Sequence, residues 1–142
     1  MINWAIESNN GMIVLAEYPL KQILPLIGFG KPNFSVVINR KYYSVKCSSV
    51  RLECFKRNQN CVICKAQGNW WRLEQHKIDY EKGNNPNFSL YDKLHKPILL
   101  MTKDHIIPKS KGGGEEIENM QTMCYPCNQK KGPGPVYRVY TQ

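Results

Sequence analysis

The chain has 142 residues, 42% of them hydrophobic, and sets 20 Lys and Arg against 11 Asp and Glu for a formal charge of +9 and a pI near 9.3. That length fits one domain with its own core, and no run of about 18 apolar residues exists to span a membrane. The opening residues, Met1-Ile2-Asn3-Trp4-Ala5-Ile6-Glu7, lack the basic and then apolar regions of a secretory signal, so a cytoplasmic setting is expected, and the charge favours a polyanionic partner.

Taken in chain order, Asn9-Asn10-Gly11 is a breaker and Met12 to Tyr18 reads as a strand stopped by Pro19. Leu20, Ile23, Leu24, Leu26 and Ile27 suit a short helix that Pro25 weakens. Gly28-Phe29-Gly30-Lys31-Pro32 breaks the chain again, and Phe34 to Ile38 is a second strand. Residues 1–46 therefore read as a β-rich N-terminal extension, and residues 47–142 as the main domain. Between Lys31 and Arg57, the cations Lys31, Arg40, Lys41, Lys46, Arg51, Lys56 and Arg57 face the single acid Glu53, with Phe34, Tyr42, Tyr43 and Phe55 interleaved. Arg40, Lys41 and Lys46 are the nucleic-acid contacts expected from this stretch.

Ser48 or Ser49 caps a helix running to about Arg57, with Val50, Cys54 and Phe55 on its apolar side and Arg51 and Lys56 facing away. Trp70-Trp71-Arg72-Leu73 is a strand that sends one indole inward and one outward. Phe88 to Tyr91 and Pro97 to Thr102 are two more strands around a turn at residues 92–96. Asn119 to Cys124 returns as a strand, and Tyr125 to Lys131 forms a short turn or helix stopped by Gly132-Pro133-Gly134-Pro135. Val136, Tyr137, Val139 and Tyr140 are candidates for an edge strand in the tail.

Six cysteines stand at positions 47, 54, 61, 64, 124 and 127. In a reducing compartment, two close pairs read as metal ligands rather than disulfides. Cys61-x-x-Cys64 and Cys124-x-x-Cys127 each grip one face of an ion, and together they make a tetrahedral four-thiolate zinc site. A redox role suits a βαβ setting, which neither pair has. The 59 residues between Cys64 and Cys124 do not forbid closure, because its entropic cost grows only logarithmically with loop length. A full thiolate set leaves no open position for water, so this zinc is expected to be structural. Cys47 and Cys54 read as small buried apolar residues.

The remaining chemistry is concentrated in Asp104-His105-Ile106-Ile107-Pro108, the loop Lys109 to Glu116 with Gly112-Gly113, then Asn119, and Cys127-Asn128-Gln129-Lys130-Lys131-Gly132. A neutral imidazole accepts a proton near physiological pH, so His105 suits a general base. Asp104 offers a carboxylate oxygen and Asn128 a carbonyl oxygen, hard ligands for Mg²⁺ or Mn²⁺. Asp104 and His105 are neighbours on a strand and converge only if the strand ends or twists there. His76 and His95 lack such company and are assigned nothing.

This stretch resembles the HNH family of ββα-metal nucleases, in its zinc-bearing branch, over about a third of the chain. Ser49-x-Arg51-Leu52-x-x-Phe55 also resembles the helix that often precedes the first cysteine pair in such proteins. The resemblance implies an α+β fold with a ββα-metal core stapled by zinc. It further implies a hydrolase that cuts DNA, with Asp104 and Asn128 on the catalytic metal and Asn119 holding the loop backbone and orienting His105. Lys109, Lys111, Lys130 and Lys131 flank that site as candidate phosphate contacts. Nicking by a monomer and double-strand cleavage by a homodimer both remain open. Two other classes remain beside this one: a non-catalytic zinc-ribbon module that binds nucleic acid, and a structural protein in which zinc only stabilises the fold.

Overall fold

The computed structural model describes residues 6–7 and 11–132 of the chain. In order these are β1 (Ile6–Glu7), β2 (Met12–Pro19), α1 (Leu20–Ile23), β3 (Phe34–Ile38), β4 (Lys41–Val45), α2 (Val50–Arg57), β5 (Trp70–His76), α3 (Lys77–Glu81), β6 (Asn87–Asp92), β7 (Leu99–His105), β8 (Met120–Cys124) and α4 (Tyr125–Lys131). The expected edge strand at 136–140 and the Pro133-Gly134-Pro135 stop lie outside the described residues, as do Met1 to Ala5, Asn9 and Asn10.

Six strands form one antiparallel sheet in the order β1-β2-β5-β6-β7-β8, and β3 with β4 makes a separate hairpin. The hairpin turns at Asn39 and Arg40, both at positive φ. Pro25 takes effect as expected: α1 stops at Ile23, and Leu24–Leu26 continue as a tighter 3₁₀ turn.

The described part of residues 1–46 packs onto the main sheet. β2 pairs with β5 from Met12↔His76 to Pro19↔Trp70, which makes it an inner strand of the main sheet. Ile13, Leu15, Ile23, Ile27, Tyr43 and Val45 share one apolar cluster with Phe55, Trp71, Phe88 and Met123. A segment of that size buries too little surface to hold a core of its own, so its apolar face is spent on the common one. Cys47 and Cys54 are buried in the interior, as small apolar side chains would be.

Helix α2 starts where the sequence places it, with Ser49 Oγ accepting from the Leu52 amide at 3.1 Å. Its buried residues are Leu52, Cys54 and Phe55, while Val50 is only half-buried. The expectation that Arg51 and Lys56 face away is corrected: Arg51 Nη2 donates to the Phe88 carbonyl, and Lys56 Nζ donates to the Leu24 carbonyl at 2.6 Å. The reason lies in the sheet. β7 pairs with β6 only at Tyr91↔Leu100 and Asp92↔Leu99, then departs to pair with β8 from Met101↔Cys124 to His105↔Met120. The edge of β6 at Phe88 is left without a strand partner on that side, and Arg51 supplies the donor its carbonyl requires.

The two tryptophans divide as strand alternation demands. Trp71 is fully buried, whereas Trp70 is half-buried with Lys93 Nζ 3.5 Å from its ring centroid. Among the described residues, no helix is long and apolar enough to cross a membrane.

Candidate functional site

The four thiols expected to hold zinc come together. The sulfurs of Cys61, Cys64, Cys124 and Cys127 all lie within 4.8 Å of one another, with Cys64 Sγ and Cys124 Sγ 3.7 Å apart. Four sulfurs about 2.3 Å from a central ion at tetrahedral angles stand about 3.8 Å from each other, so the cluster has the dimensions of a zinc site. The amides of Ile63 and Cys64 donate to Cys61 Sγ at 3.4 and 3.5 Å. Burial opposes ionisation of Cys61, but backbone N–H donors outweigh it and lower that thiol to about 7. Burial pushes Cys124 up to about 11, and the neighbouring Cys61 charge adds to the rise. Four adjacent thiolates repel one another, and a dication is the partner that removes the penalty.

Local structure carries each pair to this point. Cys61 opens a tight turn closed by Lys65 N–H to Cys61 O at 3.1 Å, and the Val62 amide donates to Thr122 O on β8 at 3.0 Å. Cys124 ends β8 as the N-cap of α4, and Cys127 lies in the first turn of that helix. The cysteines thus clip the loop after α2 to the β8–α4 junction.

Beside this clip, an open cleft of about 390 Å³ is lined by Lys103, Asp104, His105, Pro108, Lys109, Ser110, Asn128, Lys131 and Gly132. Three of the four expected catalytic residues, Asp104, His105 and Asn128, therefore border one space at the end of β7. Asp104 is buried; its Oδ2 accepts from Gln121 Nε2 at 3.0 Å and lies 3.0 Å from Lys131 Nζ. His105 Nε2 lies 3.0 Å from Glu115 Oε2. The His105 contact, first, and the nearby Lys109 hold the Glu115 carboxyl below its usual range. Asn128 Nδ2 donates to Thr102 Oγ1 at 2.8 Å, which leaves the side-chain oxygen Oδ1 of Asn128 without a donor among the described residues.

The fourth residue, Asn119, is buried beneath the glycine loop. Its Oδ1 accepts from the Ile107 amide at 2.9 Å, and its Nδ2 donates to Ile107 O at 3.1 Å and Gly114 O at 2.9 Å. The glycines are needed where this loop closes. Gly112 sits at φ +90, and a Cβ on Gly113 would stand 1.7 Å from Ile107 O.

Lys131 is set apart from the other lysines named as candidate phosphate contacts. It is buried, not exposed, and besides Asp104 it donates to His105 O at 2.7 Å. It comes off the last turn of α4, which packs against β7, and so points inward where Lys130 points out. Lys109, Lys111, Lys130, Arg40, Lys41 and Lys46 are exposed. Sequence reasoning also passed over Glu115, Gln121 and Thr102, which contact His105, Asp104 and Asn128. Cross-strand register puts Gln121 opposite Asp104, and that register was the only signal for it.

As to metals, the four cysteines are positioned to hold an ion with zinc chemistry. A carboxylate and a side-chain amide oxygen bordering one cleft are hard oxygen donors of the kind a divalent cation takes. Residues 93–134 match the HNH endonuclease family. This part of the chain is similar to that family, and the similarity points to a role connected with nucleic acid. Neither the curated proteins nor the solved structures contain a match to the chain.

Proposed function

We propose that the protein is a metal-dependent endonuclease that hydrolyses phosphodiester bonds of DNA, with His105 as general base. The observation that carries this reading is the single cleft bordered by Asp104, His105 and Asn128, in which Glu115 engages His105 Nε2. An Nε2–H donated to that carboxylate leaves Nδ1 with a lone pair free to accept a proton. Nδ1 takes the proton of a water as its oxygen bonds to phosphorus and the bond to the leaving 3′ oxygen breaks. Asp104 and Asn128 hold Mg²⁺ or Mn²⁺, which when bound supplies positive charge against the phosphate and the leaving oxygen. Asn119 keeps the loop shape that presents His105. The β7–β8 hairpin with α4 serves as the ββα-metal core, and the four-cysteine zinc fixes the backbone from which Asn128 projects. A reducing cytoplasm is the setting in which those thiolates stay available.

A second reading, a non-catalytic nucleic-acid-binding module, is favoured by one observation: the buried Lys131 ammonium already balances the Asp104 carboxylate. Cleavage of supercoiled plasmid by wild type and by His105→Ala, purified alike with Mg²⁺ or Mn²⁺, separates the two. Wild-type nicking that the variant loses, with folding and DNA binding kept, supports the endonuclease. Equal cleavage by both proteins points elsewhere for the activity, and tight binding without cleavage by wild type selects the second reading.

A further inference from the structure

Where β7 leaves β6, the sheet opens a second cleft of about 300 Å³. Lys46, Arg51 and Lys103 line it together with Ser49, Asn87 and Phe88, and no carboxylate does. Lys46 and Lys103 have no ion-pair partner among the described residues. Arg51 donates to the Phe88 carbonyl and makes no ion pair among the described residues; Glu74 is the carboxylate whose field it feels. Cations brought together this way, with no carboxylate among them, create a local positive potential that an anion relieves. No Asp or Glu occurs in the sequence between Glu17 and Glu53, so the surrounding segment offers none either.

The position of this cleft identifies the anion. Lys103 lines it and also lines the cleft of Asp104, His105 and Asn128, so the two spaces share a wall. Lys46 and Arg51 lie outside the span that matches the HNH family, whereas Lys103 lies within it. We propose that the second cleft grips a backbone phosphate of the same DNA strand beside the one being cut, through Lys46, Arg51 and Lys103. This inference rests on the endonuclease reading for its substrate. It makes the departure of β7 from β6 the feature that sets the path of the strand.

The test measures binding without cleavage, in the zinc-loaded His105→Ala protein without Mg²⁺. Affinity for a labelled DNA duplex is followed by fluorescence anisotropy across a salt series, with and without Lys46→Gln and Lys103→Gln together. Each lost phosphate contact lowers the slope of log affinity against log salt by about 0.9, so the pair should lower it by about 1–2 and weaken binding about tenfold. Zinc content and melting temperature should stay as in the parent. Lys21→Gln with Lys82→Gln removes the same charge elsewhere and should leave the slope nearly unchanged. An unaltered slope in the folded Lys46/Lys103 variant overturns the proposal, as does an equal drop in the control pair. Failure of wild type to nick plasmid overturns the endonuclease reading instead, and leaves the binding result to be judged by itself.

Discussion

Lys131 Nζ stands 3.0 Å from Asp104 Oδ2, and both side chains are almost wholly shielded from water, at 2% and 7% exposure. The pair ties the last turn of α4 to the end of β7 and fixes the carboxylate at the edge of the candidate catalytic cleft. A buried ion pair adds little net stability, yet removing one partner strands the other in a poor solvent.

Lys131→Met should therefore cost about 3–5 kcal/mol of unfolding free energy in the absence of divalent metal, read by urea denaturation. Adding Asp104→Asn to it should restore part of the loss, since the stranded charge is gone. Mg²⁺ or Mn²⁺ should raise the melting temperature of Lys131→Met more than that of wild type, because a dication replaces the missing positive charge. A metal response no larger than wild type's would show that Asp104 does not reach the ion.

Zinc removal tests the clip between the loop after α2 and the β8–α4 junction. One zinc per chain should copurify, and Cys61→Ser or Cys127→Ser should lower stability by about 5 kcal/mol or more, with loss of core packing by near-ultraviolet circular dichroism. Because protons compete with zinc for the thiolates, acid should release the metal and mimic the substitutions. Folded, active protein without zinc by elemental analysis would remove the clip from the account.

Glu115 should govern the form of His105. Its carboxyl lies below the usual range, first because of the hydrogen bond with His105. A depressed carboxyl makes its contribution above its unfolded value and loses it as pH falls through the lowered one, so the contact holds at neutral pH and fails only in acid. At neutral pH, nitrogen NMR should find the His105 proton on Nε2 in wild type and distributed over both nitrogens in Glu115→Ala. Plasmid nicking should fall about ten- to a hundredfold in that variant without weaker DNA binding. An unchanged tautomer and unchanged rate would make the contact incidental.

Much of the local structure was legible in the residues themselves. Ser49 announces the start of α2, Pro25 cuts α1 short, and β-branched and aromatic runs mark β2, β3 and β5, because each signal acts over a few neighbouring residues. The two Cys-x-x-Cys pairs pointed to a common metal despite their separation, and the fold brings their four sulfurs together. Partners distant in the chain were another matter. Nothing local says that β2 pairs with β5, that β7 abandons β6 after Leu100, or that Arg51 and Lys131 turn inward while Lys130 stays in water. Whether a charged side chain is solvated or buried depends on which strand or helix closes over it. That choice is made by the packing of the whole apolar cluster, and only the tertiary structure records it.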